Sequence, residues 1–184
     1  MIFEGPDYHI AADHLNHRIT CWGYRLAEAS RPGRFDIDAA RKLGVPSGPL
    51  FGRLQRGECV VLDDGTQVNP DQVLGPGRSG RSIAYCCDTS PCDGAIRLSA
   101  GADMVIHEGT YAPHESKIAH QRGHSTMADA ARLAKTAGAR ELVITHISPK
   151  YIRTDAFLPP VRKIFPHTKI ARDLDTFKVP LSEN

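Results

Sequence analysis

At 184 residues, with 41% hydrophobic and 24% charged side chains, the chain can bury a real core and lacks the composition of a disordered polymer. No apolar run reaches membrane-spanning length and the first residues lack a basic-then-apolar signal pattern, so the expected protein is soluble and cytoplasmic. A net charge of +2 is too mild to imply a polyanionic partner, which would have to be argued from local clustering. Five cysteines make an odd count with no paired zinc-ribbon spacing, which disfavours a disulfide scaffold. Nine histidines are many for this length.

Residues 8–12 and 18–26 read as two strands rich in β-branched and aromatic residues, joined by an irregular link that places His17 at the entry to the second. From residue 28 to 80 strong periodicity is lost and glycines and prolines accumulate; so long a turn-rich stretch is an inserted arm rather than part of the sheet. Arg31, Arg34, Arg41, Lys42, Arg53 and Arg56 gather in its first half. Such a charge run can be a solvated surface or a set of phosphate contacts. Cys59–Leu62, Asp64-Gly65 and Thr66–Val68 carry a hairpin signal within it. Residues 82–87 return to the sheet and deliver Asp88, and residues 95–100 can make a short helix.

The next stretch organises the rest. Met104–Ile106 is an apolar run ending in His107-Glu108, and Leu142–Ile144 is another ending in Thr145-His146. Between them Ser125 and Thr126 are N-cap residues, and Met127, Ala130, Ala131, Ala134 and Ala137 recur at helical spacing until Gly138. Residues 157–165 suggest a last helix and 169–179 a final strand or two. The expected class is α/β (α+β), a sheet with helices on one face.

Polar residues at the ends of buried strands are where open α/β sheets place ligands, and here they are His17, Asp88, His107-Glu108, His124 and His146. Imidazole and carboxylate together suit zinc or manganese. Each also has an ordinary role: Asp88 as a turn former, His107 as a core histidine, His124 as a residue ahead of an N-cap. His9, His14, His114, His120 and His167 have no place in the set.

The motifs in order resemble those of ribonuclease Z, the tRNA 3′ processing endonuclease family of the metallo-β-lactamase superfamily. His17–Arg25 (HRITCWGYR) is similar to its histidine-to-Gly-Tyr-Arg motif, Cys87-Asp88-Thr89 to its aspartate motif and His107-Glu108-Gly109-Thr110 to its HEAT motif. His124-Ser125-Thr126 is similar to its HST motif, Thr145–Ser148 to its last histidine motif, and Val45–Pro49, with Gly48-Pro49, to its flexible tRNA-binding arm. The resemblance covers nearly the whole chain. It implies a site of two zinc ions, with manganese as the other candidate, in which His17 completes one shell, Asp88 bridges and His146 binds the second ion. Glu108 and His124 would act as a pair on the leaving oxygen. The basic residues of the arm, with Gly48 and Pro49, would clamp precursor tRNA from the opposite subunit of a homodimer. Gly109 stands where the family has alanine, a change expected not to matter.

The family's H-x-H-x-D-H signature is absent from this sequence; His9–His14 mimics part of it, with Ala11 in place of the central histidine. The expectation is therefore the carboxy-terminal half of a metallo-β-lactamase-like domain over residues 1–184, the arm inserted at 28–80 and the amino-terminal half missing. Two functions follow. One is a tRNA 3′ endonuclease, catalytic only when an amino-terminal half is present, either lost here through a misplaced start or supplied by a separate chain. The alternative is a non-catalytic tRNA-binding or vestigial module. The inner sheet face should be apolar unless something covers it.

Overall fold

In the computed structural model, which describes residues 1–181, Phe3–Glu4 (β1) pairs antiparallel with Tyr8–Leu15 (β2), and β2 with Cys21–Glu28 (β3). The link between β2 and β3 lies further on than the sequence suggests. The pairing extends to Leu15 opposite Cys21, and the His14 ring lies against that of its register partner Trp22, tilted by 33° with 3.8 Å between centroids. After residues 29–80, Ser82–Cys86 (β6, numbering past the two arm strands described below) joins β3 antiparallel. Met104–Glu108 (β7), Glu141–Thr145 (β8) and Thr168–Ile170 (β9) then add in parallel, giving a seven-stranded sheet in the order β1-β2-β3-β6-β7-β8-β9.

Residues Met1–Glu28 and Arg81–Leu181 form one compact unit, and Ala29–Gly80 a second. In the first, Asp93–Ser99 (α3), Ser116–Gln121 (α4), Met127–Thr136 (α5) and Leu158–Ile164 (α6) connect the strands. The sequence gives no sign of α4, which has only six residues. The side of the sheet facing α3, α5 and α6 is the core: Ala84, Cys86, Val105, Leu142 and Ile144 meet Leu98, Met127, Ala130, Ala131, Ala134 and Val161, all buried. The alanine stripe of α5 lets its backbone approach the strands closely. Gly94 does the same for α3, since a Cβ there would sit 2.0 Å from the His14 carbonyl oxygen. Arg25 reaches from β3 to donate to the Leu98 and Ala100 carbonyls at 2.8 and 2.7 Å, capping the end of α3.

The opposite face has the other parity. Ile10 and Ala12 on β2, Trp22, Tyr24 and Leu26 on β3, Ile83 and Tyr85 on β6 and Ile106 on β7 are register neighbours across it. No helix of this unit covers that side, and Trp22, Tyr24, Leu26 and Tyr85 remain 38–43% exposed. A contiguous apolar patch of this kind is unusual on a free surface. The segment after β9 forms no second strand; it crosses towards β6, where Arg81 donates to the Val179 carbonyl, and Phe177 packs against the Lys169 ammonium.

Thr126 is the N-cap of α5, its hydroxyl accepting from Asp129 N–H while Asp129 accepts in return from Thr126 N–H, a capping box. Burial raises the Asp129 pKa, yet hydrogen bonds from Thr126, Arg132 and His120 outweigh it and hold the carboxyl below its usual range. No helix among the described residues is long and apolar enough to cross a membrane.

Gly109 corrects an expectation. A Cβ at this position would lie 2.4 Å from Ile144 Cγ2 and 3.0 Å from Met127 Cγ, both fully buried, so alanine is not a neutral replacement. Gly109→Ala is expected to lower unfolding stability in urea by about 1–3 kcal/mol through overpacking. Adding Ile144→Val, which removes another methyl but leaves Cγ2 to reposition, should recover part of the loss; an unchanged midpoint for the single variant would contradict the contact.

The second unit has more structure than its composition suggests. Ile37–Lys42 (α1) is capped by Asp36, which accepts from Ala39 N–H, and Pro49–Gln55 (α2) starts at Gly48 with φ +145°. Val60–Val61 (β4) and Gln67–Val68 (β5) form the hairpin, and Ala40, Val45, Leu54, Val60, Val68 and Val73 close a small core of their own. Its apolar residues come from two short helices, two two-residue strands and, at Val45 and Val73, the links between elements, too short for any period to show.

Candidate active site

The carboxy ends of β6, β7 and β8 lie side by side, and the loop before α5 meets them. Asp88 follows β6, Glu108 ends β7, His146 follows β8, and His124 precedes the Thr126 cap. One donor atom from each of Asp88, Glu108, His124 and His146 lies within 4.8 Å of the others. Parallel strands deliver their last residues to one edge, so three chain-distant side chains become neighbours through register alone: Glu108 opposite Thr145, one residue before His146.

Glu108 is fully buried, and every partner it has is a donor. Thr89 N–H reaches Oε1 at 2.5 Å, His124 Nδ1 Oε1 at 2.9 Å, Ser125 N–H Oε2 at 3.0 Å and the Thr110 hydroxyl Oε2 at 2.6 Å. Both oxygens are thus committed to the protein, which leaves Glu108 suited to orient a neighbour rather than to bind an ion. Since a carboxylate that accepts two backbone N–H groups can only accept from His124, Nδ1 of His124 carries its hydrogen and Nε2 points away from Glu108.

The same logic applies to His17, whose Nδ1 lies 2.8 Å from the Gly123 carbonyl oxygen, an atom that can only accept; Nδ1 carries the hydrogen there too. Its ring stands edge-on to His124 with centroids 4.8 Å apart, and the His124 and His146 rings are stacked at 5.6 Å. His146 Nε2 lies 3.3 Å from Asp88 Oδ1. Of the sequence-derived set, Asp88, Glu108, His124 and His146 are brought to one place, with His17 flanking His124 rather than joining the four-residue group and His107 turned away from it. His146 has φ +52°, a left-handed backbone that a non-glycine residue adopts at a cost, and its carbonyl oxygen lies 3.0 Å from the Thr110 hydroxyl.

Imidazole nitrogens with their other nitrogen already tied, beside one carboxylate, are the donor chemistry of a divalent transition metal, so the residues fit such an ion. Asp88, His146, His124 and His17 offer too few donors to close two shells. Cys87, although adjacent to Asp88, is outside the four-residue group; burial first, then the Glu108 charge, pushes its thiol up to about 12.

His107 is not in the site. Its parity puts it on the core side, fully buried, with Nδ1 against the Glu108 carbonyl at 2.7 Å and its pKa lowered by burial. His120 serves Asp129, and His14 lies against Trp22. Thr110, which was visible only as part of a motif, is the residue whose structural position the sequence did not indicate: its hydroxyl touches Glu108, His146 and, at 3.4 Å, His124 Nδ1.

In the second unit the expected basic residues are not equivalent. Arg53 and Arg56 both donate to Glu58 at 3.0 Å, so one carboxylate offsets two guanidinium groups. Arg41 stands 3.9 Å from Asp38, Lys42 and Arg34 are exposed, and Arg31 is half-buried where its backbone pairs with Arg78. Gly48 and Pro49 are the start of α2.

Comparison with known proteins places these features together. Residues 62–147 match a family model described as a beta-lactamase superfamily domain. A ribonuclease Z of Nostoc sp. is 45% identical over 185 residues, covering 98% of this chain and 58% of the relative, and one of Acaryochloris marina is 45% identical over 184 residues, covering 97% and 59%. The chain thus spans about three-fifths of the length of these relatives. Among solved structures, human tRNase Z, short form, superposes with a TM-score of 0.59 at 23% identity, covering 98% of this chain and 46% of that one. A metallo-beta-lactamase fold protein, YhfI, from Bacillus subtilis gives 0.57 at 19% identity, covering 92% and 49%; at such identities the likeness is one of fold.

Proposed function

This chain belongs to the ribonuclease Z family of the β-lactamase superfamily, and from that premise we propose that it serves a zinc-dependent endoribonuclease that removes 3′ trailers from tRNA precursors. The observation that carries the proposal is the buried Glu108–His124 pair set within 4.8 Å of Asp88 and His146. Asp88 and His146, with His17 alongside, would hold the metal. Zinc, or manganese in its place, would supply Lewis-acid polarisation of the scissile phosphate and a water made acidic enough to attack at neutral pH. His124, its ring fixed by Glu108 through Nδ1–H, presents Nε2 to the reacting phosphate; protonated there, it donates to the leaving oxygen. Glu108 takes no proton in this scheme and keeps the ring from turning.

The donor set leaves room for further ligands, and the uncovered sheet face leaves room for the part of the relatives' length that this chain does not span. Cleavage would accordingly require the remainder of the domain, whether carried on the same polypeptide or on another. The same shortage of donors favours the second function, a tRNA-binding module without catalysis. Both share the arm, which would hold the precursor by its phosphates, across a homodimer, without reading bases.

Binding tests that shared part first. The purified chain is expected to bind a 3′-extended tRNA with an affinity that falls steeply between low and moderate salt. Replacing Arg53 and Arg56 by alanine removes two guanidinium groups and frees Glu58, so the trio changes from +1 to −1. The double variant should weaken binding about 10-fold or more and flatten the salt slope by one to two contacts. Filter binding at several salt concentrations reads both quantities, and unchanged affinity removes these two residues from the interface.

A further inference from the structure

We propose that Thr110 is a positioning residue: its hydroxyl fixes the tautomer and orientation of His146, turning Nε2 with a free lone pair towards Asp88. The inference rests on His146 and Asp88 being metal ligands, the assignment made above, but its main test does not require metal or turnover. The geometry allows little else. A threonine hydroxyl has one hydrogen to give, and Glu108 Oε2 at 2.6 Å and the His146 carbonyl oxygen at 3.0 Å both compete for it as acceptors only. Whichever receives it, Thr110 Oγ1 must meet His146 Nδ1, 2.8 Å away, as an acceptor, so Nδ1 brings its own hydrogen.

The neutral ring then has a bare Nε2. The competing arrangement would put the hydrogen on Nε2 and aim it at Asp88 Oδ1; at 3.3 Å that contact is longer than a normal N–H···O bond, whereas the Thr110 contact is within range. His124, His146 and Glu108 thus share one hydroxyl as a relay of orientation. Glu108 ties the Nδ1–H of His124 directly and that of His146 through Thr110, and both rings are left facing outwards through Nε2.

The test is the histidine tautomer, read from long-range proton–nitrogen correlations on ¹⁵N-histidine-labelled, metal-free full chain at a pH where the imidazoles are neutral. The wild-type His146 is expected in the Nδ1–H form. Thr110→Val, which keeps the shape and removes the hydroxyl, should shift it towards Nε2–H, and Thr110→Ser should restore Nδ1–H. His124, tied directly to Glu108, should keep Nδ1–H in all three, which reports that the site is still folded. A wild-type His146 in the Nε2–H form, or an Nδ1–H form that persists in Thr110→Val, overturns the proposal.

A second measurement, titration with Co²⁺ followed by its visible spectrum, should show affinity lowered by about 10- to 100-fold in Thr110→Val and restored in Thr110→Ser. If the tautomers behave as expected while Thr110→Val binds Co²⁺ as tightly as the wild type, the role of Thr110 in orientation stands and the assignment of His146 as a metal ligand falls.

Discussion

Glu108→Gln is expected to destabilise the fold by about 2–4 kcal/mol, although it changes one atom of a side chain already buried. Glutamine has one acceptor oxygen and one two-hydrogen donor. Thr89 N–H and Ser125 N–H occupy opposite oxygens of Glu108, so either orientation of the amide points its hydrogens at a backbone donor that cannot turn away. One N–H is left buried and unpaired, and His124 Nδ1–H or the Thr110 hydroxyl loses its acceptor with it. Glu108→Ala should cost about 3–5 kcal/mol, since all four donors are then abandoned. Urea unfolding measures both. A glutamine variant within about 0.5 kcal/mol of wild type, the scatter of an ordinary surface change, would mean that the cage is not closed as described.

That cage also shows how much was legible in advance. The strand ends at Asp88, Glu108 and His146 could be found because parallel strands buried on their core side read as short apolar runs, and because a polar residue ending such a run is conspicuous. The helix of residues 127–136 announced itself through its alanine period and its Thr126 cap. What sequence could not supply is pairing between residues far apart in the chain. Nothing in the positions of Arg53, Arg56 and Glu58 says that one carboxylate will take both guanidinium groups, and nothing in a small residue at 109 says that Ile144 and Met127 close over it. His107 and Glu108 are adjacent and look equally available, yet strand parity sends one into the core and the other into the site. The arm was illegible for a different reason: elements of two to seven residues carry no period, and its order comes from a tertiary cluster around Leu54 and Val60.

The largest effect is expected in catalysis. With zinc present, this chain alone should give no cleavage of a 3′-extended tRNA. Adding a polypeptide that corresponds to the two-fifths of a relative's length not spanned here should raise cleavage on the order of 10³-fold or more, since it would complete the metal shells and exclude water from the site. Two physical conditions must both be met. The metal needs donors beyond Asp88, His146 and His17, and the face bearing Trp22, Tyr24, Leu26 and Tyr85 needs an apolar partner. They can be separated. Leu26→Lys with Ile10→Lys places two charges on register neighbours of the open face, away from the strand ends that carry the site and outside the arm. The double variant should lose the gain from the added polypeptide while binding tRNA as before. His146→Ala should also lose the gain, but should still associate with the added polypeptide on a sizing column. Robust cleavage by the unaided chain would remove the need for a partner, and complementation unaffected by the two lysines would place that partner somewhere other than the open face.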